Sequence, residues 1–281
     1  MKLSIATNIP IEFHGEENGL RLLAEAGFDT VDWSFFIPGM QDRLLRVDYL
    51  EQAEHSKSLL EKYGLICNQS HAGFTFRYGM EMSTACPEYL FSCRCIEYAA
   101  LLGAKDIVVH TIRTPEPDVD FVEYNLHFFK SLEPLCQKFG IRIGVENACG
   151  VKSVDQINRF CEALSPEHFV VCLDIGHANI GQNPAEYARA IAPGRLQSLH
   201  VHDNKGTSDD HMLPYLGAIN WKEMIRCLID CGYSGDFTME AGKFLRAFPP
   251  ELTLDALKLY FAVGSQLVRT FETMLMEVDH E

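Results

Sequence analysis

The stretch Leu199-His200-Val201-His202-Asp203-Asn204-Lys205-Gly206-Thr207-Ser208-Asp209-Asp210-His211 begins as a strand and finishes as a polar loop. Arg195 to Val201 has the Leu/Val-rich pattern of a buried strand. Beyond it the polarity changes abruptly to His200, His202, Asp203, Asp209 and His211. Imidazole nitrogens and carboxylate oxygens ligate Zn, Mn, Co or Fe, and a strand end followed by a loop can aim several of them at one point. A solvated His-rich loop is the competing reading of this stretch alone, so its weight depends on what the other strand ends carry.

The pattern recurs along the whole chain. Lys2 to Thr7 reads as a strand, Glu17 to Ala26 as a helix stopped by Gly27, and Thr30 to Ser34 as a second strand. A helix from Asp48 to Tyr63 stops at Gly64, and a third strand from Leu65 to Ser70 finishes at His71. A helix from Pro87 to Leu102 stops at Gly103 before strand Asp106 to Val109 and His110; a helix from Val119 to Phe139 stops at Gly140 before strand Ile141 to Val145 and Glu146. Glycine is favoured where a left-handed residue closes a helix. The second half continues with helix Val154 to Leu164, strand Phe169 to Leu173 ending at Asp174, and helix Pro184 to Ile191. After the quoted strand come helix Trp221 to Cys231, strand Gly235 to Met239 ending at Glu240, and a last helix from Thr253 to Glu277. Such strand-then-helix units, with continuous apolar strands, predict a parallel sheet covered by helices. Their number predicts closure into an α/β (β/α)8 TIM barrel, with residues 1–281 as a single domain. A doubly wound open sheet competes, but no Gly-rich phosphate loop follows the first strand.

Composition narrows the function classes. The chain has 281 residues, 47% hydrophobic, with Lys+Arg 24 against Asp+Glu 39 and a formal charge of -15. That charge disfavours nucleic acid as a partner, and no basic amphipathic helix or bilayer-length apolar run suggests a membrane. Ten cysteines show no disulfide framework: Cys93 and Cys95 alternate in a helical pattern, Cys172 sits in an apolar strand, and Cys227 and Cys231 lack a second pair for a zinc site. Reduced thiols and a cytoplasmic location are the expectation.

In a barrel, residues just after the strands share one face. Those positions are His71, His110, Glu146, Asp174, His200 and Glu240, with His177, Asp209 and His211 in the loops. Several carboxylates in one small space repel one another unless a cation neutralises them, so a bound divalent metal is expected. The bland alternatives are a histidine hydrogen-bonded to a carbonyl and a carboxylate capping a helix.

Val145-Glu146-Asn147-Ala148, Cys172-Leu173-Asp174-Ile175-Gly176-His177-Ala178, Leu199 to Asn204, Asp209-Asp210-His211 and Thr238-Met239-Glu240 resemble, in order and at the right strands, the motifs of the xylose-isomerase-like barrel superfamily. That group holds sugar and sugar-phosphate isomerases and epimerases and also the endonuclease IV group of apurinic-site nucleases. The resemblance implies that Glu146, Asp174, His200 and Glu240 bind one divalent metal (Mn, Mg, Co or Zn), with His177 contacting substrate. It implies Glu146 and Glu240 as the proton-transfer pair around a metal-stabilised enediolate, with metal binding alone as the lesser role for them. The nuclease pattern would add His71, His110, His177, Asp209 and His211 for three zinc ions. Relatives usually continue Pro-Gly-x-Gly where this chain has Pro214-Tyr215-Leu216-Gly217, which puts the roles of Asp209 and His211, as further metal or substrate ligands, in question.

His71, His110 and Trp33 are further candidates for substrate binding. Trp33, Phe35, Phe36, Phe74 and Phe76 are candidates for a pocket wall that stacks on a sugar, with core packing as the alternative. Arg77, Arg113, Lys205, Lys243 and Arg246 are loop cations that could meet a phosphate or simply face solvent. The expected function is a metal-dependent isomerase or epimerase of a small sugar or sugar phosphate. The alternatives are an endonuclease IV-like phosphodiesterase, a dehydratase of a keto-inositol or dehydroshikimate-type acid, and a carbohydrate-binding module. The apolar last helix leaves a homo-oligomer open.

Overall fold

The computed structural model describes residues 1–73, 82–114, 118–148 and 150–278; Phe74, Phe76 and Arg77 lie outside the described residues. From the N-terminus run β1 (Leu3–Ala6), α1 (Asn8–His14), α2 (Glu16–Ala26), β2 (Thr30–Ser34), α3 (Met40–Leu45), α4 (Tyr49–Tyr63) and β3 (Ile66–His71). Then come α5 (Pro87–Leu102), β4 (Asp106–Val109), α6 (Phe121–Phe139), β5 (Arg142–Glu146), α7 (Val154–Ala163), β6 (Phe169–Asp174), α8 (Ile175–Asn179) and α9 (Pro184–Ala190). The chain closes with β7 (Leu196–His200), α10 (Trp221–Asp230), β8 (Phe237–Met239), α11 (Gly242–Arg246) and α12 (Thr253–Val278).

The eight strands are parallel in the order β7-β6-β5-β4-β3-β2-β1-β8. A bridge between Val201 and Met239 brings β7 and β8 together, with Val201 N–H donating to Thr238 O at 2.8 Å and Glu240 N–H to Val201 O at 2.9 Å. The (β/α)8 barrel expected from the alternation is therefore the fold. Helix boundaries follow the punctuation: Gly27, Gly64, Gly103 and Gly140 all take left-handed C-cap conformations that β-carbon sterics discourage elsewhere. The short helices α1, α3, α8 and α11 stand in loops where none was expected.

Contacts across the ring identify the interior face of β1, β2, β3, β4 and β7. Ser198 Oγ donates to Asp106 Oδ2 at 3.3 Å, Ser4 Oγ donates to Asn68 Oδ1 at 2.8 Å, and His200 Nε2 lies 3.4 Å from Asp32 Oδ2. These pairs come from strands that are not neighbours, so they meet only through the barrel. Val31, Trp33, Ile107, Ile143, Val171 and Leu199 are buried in the apolar core. Alternation of faces along a strand separates Val31 and Trp33 from the interior Asp32. The barrel interior is thus polar and the barrel–helix layer apolar. Among the described residues no helix is long and apolar enough to cross a membrane, and the nine cysteines described are free thiols.

Candidate metal centre and substrate pocket

At the C-terminal rim, β3, β5, β6 and β7 end in His71, Glu146, Asp174 and His200. Donor atoms of Glu146, Asp174, His200 and Glu240 lie within 4.8 Å of one another. His200 Nδ1 is 2.7 Å from Glu146 Oε1 and 3.3 Å from Glu240 Oε2. Glu146, Asp174 and His200 are buried.

Among the described residues three further groups adjoin this one, and one of them, His71 with His200 and Glu240, shares two of its members. His110 Nε2 approaches Glu146 Oε2 at 2.5 Å and His71 Nε2 lies 3.7 Å from the same oxygen, forming a group of His71, His110 and Glu146. On the other side His177, His202, Asp209 and His211 form a group of their own. There His202 Nε2 is 3.0 Å from Asp174 Oδ1, His211 Nε2 is 3.0 Å from Asp209 Oδ2, and the His202 and His211 rings stack with centroids 4.0 Å apart.

Local sequence sets these positions. Asp174 caps α8: its Oδ1 accepts from His177 N–H at 2.6 Å, so the residue at the strand end also aims the histidine that follows. Asn147 fixes Asp174 by both backbone groups, donating to its carbonyl at 2.9 Å and accepting from its amide at 2.7 Å. Gly176 is required by close approach, since a Cβ there would stand 1.9 Å from His202 Cε1. In the β7 loop Tyr215 has φ 75, the left-handed conformation that glycine adopts freely, and His211 has φ 43. The tyrosine thus follows the glycine-like path at a steric cost, and Asp209 and His211 still reach the rim. His211 Nδ1 donates to Glu240 O at 2.8 Å, tying this loop to the end of β8.

Electrostatics show how much charge the rim gathers. Burial raises the Glu146 carboxyl, but His110 and His200 outweigh it and hold the group well below the usual carboxylate range. Burial is outweighed at Asp174 too, by His177 and His202, which bring it to about 2. For His177 burial opposes the charge, yet Asp174 leads the acids that raise it to about 10; His211 rises to about 9 against its burial, chiefly through Asp209. In the metal-free protein protons on His177, His200 and His211 therefore balance the carboxylates, while burial lowers His110. His177 Nδ1 and Asp209 Oδ1 are buried without a hydrogen-bond partner among the described residues. Buried, unpartnered donor atoms amid converging carboxylates fit a divalent cation.

The groups open onto a cavity of about 470 Å³, lined by His71, His110, Glu146, His177, Asp209, His211 and Glu240 together with Ile9, Phe36 and Ala148. Trp33 corrects the sequence reading: it is fully buried outside the barrel interior, stacked on Tyr98 of α5 at 6.1 Å, and takes no part in the pocket. Phe35 also packs on Tyr98, at 5.3 Å, leaving Phe36 as the aromatic wall from this loop. Of the loop cations Arg113, Lys243 and Arg246 line the cavity and Lys205 does not. Arg246 is engaged by Glu12 at 2.8 and 2.5 Å, and Lys243 Nζ donates to Asp209 O. Asp32 was not singled out from the sequence, and His202 was noted only among the metal-capable residues of the quoted stretch, with no role in the site. His202 had a signal, two residues after His200 and so on the same strand face.

The chain belongs to the xylose isomerase-like TIM barrel family, whose profile it matches over residues 20–260. An uncharacterised protein of Methanocaldococcus jannaschii is 29% identical over 156 residues, 52% of this chain and 53% of that relative, so the match spans about half of the relative's length. An uncharacterised protein of Sinorhizobium fredii is 25% identical over 258 residues, 80% of this chain and 81% of the relative. Among solved structures, a D-tagatose 3-epimerase-like protein superposes with a TM-score of 0.70 at 22% identity, covering 95% of this chain and 100% of that one. D-psicose 3-epimerase in the presence of D-fructose gives 0.70 at 15%, covering 95% and 99%. The IolI protein with a zinc atom gives 0.71 at 17%, covering 95% and 99%. These structural likenesses are likenesses of fold.

Proposed function

We propose that this protein is a divalent-metal-dependent isomerase or epimerase of a sugar or sugar phosphate. The observation that carries the reading is the convergence of Glu146, Asp174, His200 and Glu240 within 4.8 Å beside a cavity of about 470 Å³. That volume suits a small polar molecule. The fold neighbours, a D-tagatose 3-epimerase-like protein and D-psicose 3-epimerase, support the substrate class.

Glu146, Asp174, His200 and Glu240 hold the ion in this reading, and one metal per chain is the expectation. When bound, the ion supplies a Lewis acid beside the substrate carbonyl. The chain's own groups do the rest. Glu146, kept ionised by its imidazole neighbours, takes the proton from the carbon next to the carbonyl. Glu240 faces it from the end of β8 and returns a proton, from the opposite face in an epimerisation or to the neighbouring carbon in a ketose–aldose isomerisation. His177 bonds a substrate hydroxyl, His71 and His110 fix the Glu146 carboxylate, and Phe36 covers the apolar face of the sugar.

The test is exchange of substrate hydrogen with D2O across a panel of ketoses and ketose phosphates, using protein stripped of metal and reloaded with Mn, Co, Zn or Mg. Metal-dependent deuterium incorporation that disappears in Glu240→Gln supports the reading. Exchange that survives Glu240→Gln, or is absent with every metal and sugar, removes it. A second reading is favoured by one specific observation, the four adjoining donor groups around the rim. Three zinc ions per chain with metal-dependent incision of an abasic-site duplex would put phosphodiester hydrolysis first. The acidic charge of -15 weighs against a nucleic-acid substrate.

A further inference from the structure

Asp32 lies in the barrel interior on β2 and is 1% exposed. Its Oδ2 accepts from Gln69 Nε2 at 2.8 Å and stands at an ion-pair distance of 3.4 Å from His200 Nε2, while neither Asp32 Oδ1 nor His200 Nε2 has a hydrogen-bond partner among the described residues. A carboxylate buried against a neutral amide alone is costly, so its imidazole neighbour is the interaction that justifies its presence. The opposite nitrogen of that ring, Nδ1, points to Glu146 Oε1 at 2.7 Å and Glu240 Oε2 at 3.3 Å. His71 stacks on the His200 ring with centroids 5.1 Å apart, which restrains the ring plane.

An imidazole that ligates a metal through one nitrogen is oriented by what its other N–H meets. We propose that Asp32 is a positioning residue for the metal centre. Its carboxylate keeps the proton of His200 on the facing Nε2 and so presents the Nδ1 lone pair to the point where Glu146, Asp174 and Glu240 converge. Asp32 touches neither substrate nor metal and acts through His200. The inference rests on the proposed metal centre.

The experiment measures Co2+ binding to metal-stripped protein by titration and by its visible absorption, for the wild type, Asp32→Asn, His200→Gln and the double variant. Metal-free stability is followed by urea unfolding. The isosteric Asp32→Asn leaves the buried His200 ring without its carboxylate, so metal-free stability falls, while the Co2+ affinity of the folded protein falls roughly 10- to 100-fold and the absorption bands shift. In the His200→Gln background the same substitution has no further effect, because the residue through which Asp32 acts is gone. Affinity within twofold of wild type with unchanged bands, or an equal loss in both backgrounds, overturns the inference and leaves the metal centre standing. Failure of the wild type to bind Co2+ at all overturns both. Should Asp32→Asn not fold, Asp32→Ser gives the same comparison: weaker Co2+ binding supports the inference and unchanged binding overturns it.

Discussion

Replacing Asp203 by Asn tests whether one carboxylate organises the β7 loop. Asp203 is fully buried, and each of its oxygens accepts two hydrogen bonds. Oδ1 receives Asn204 N–H at 2.9 Å and Ile219 N–H at 3.2 Å; Oδ2 receives Tyr215 N–H at 3.1 Å and the Trp221 indole N–H at 3.0 Å. Asparagine has the same shape but only one oxygen. Whichever way the amide is turned, an NH2 group faces two N–H donors, which lose their acceptor and meet another donor. Two donors at about 1–3 kcal/mol each give an expected loss of roughly 2–6 kcal/mol, against the near-neutral effect of an isosteric change at a solvated site. Equilibrium urea unfolding of the metal-free protein measures it, and hydrogen exchange locates it, with either the Tyr215 amide or the Asn204 and Ile219 amides losing protection according to which way the amide is turned. Because this loop carries Asp209 and His211, binding to the group they form with His177 and His202 weakens as well. A stability within about 0.5 kcal/mol of wild type, with all of these amides still protected, would refute the argument that this carboxylate holds the loop.

Tyr215, at φ 75, should rank by tolerance of the left-handed region: Gly and Asn at least as stable as Tyr, and Val lower by about 1–2 kcal/mol, read from urea midpoints. Trp33→Ala should cost about 3–5 kcal/mol through a cavity against Tyr98 yet leave ligand affinity of the folded protein unchanged, whereas Phe36→Ala should weaken ligand binding. In the metal-free protein His177 and His211 are raised from 6.5 to about 10 and about 9, so their stabilisation is complete below pH 6.5 and disappears as pH rises through 9 to 10. Asp174, lowered from 3.8 to about 2, contributes stability present above pH 3.8 and lost toward 2. Urea midpoints against pH should therefore be highest between about 4 and 6.5, and apparent Mn2+ affinity should rise with pH as the histidine protons leave; a midpoint that climbs from pH 7 to 9 contradicts this.

The barrel was legible because its signals are local. Apolar runs four to six residues long with a glycine stop before them mark a strand regardless of what surrounds it, and Pro87–Leu102, Asp106–Val109 and Thr30–Ser34 run as their residues predict. The strand-end residues followed, since closure of a parallel barrel puts all of them on one rim. Pro184–Ala190 was expected, but the other helices of five to seven residues, Asn8–His14, Met40–Leu45, Ile175–Asn179 and Gly242–Arg246, stayed illegible. They are too short for an amphipathic repeat and form because the loop's ends are held by the barrel.

Facing was the second thing the sequence alone left open. Every residue of β2 is buried, so hydrophobicity does not say which side meets the pocket. Only the closed ring sends Trp33 to Tyr98 and Asp32 to His200. The division of the histidines was likewise a tertiary decision. His200 and His202 are two residues apart on one face, about 6.6 Å along the strand. That rise places His200 among Glu146, Asp174 and Glu240, and His202 in the next layer with His177, Asp209 and His211. The chain's own order determines which donors reach the rim; the tilt and closure of the barrel decide which of them share a centre.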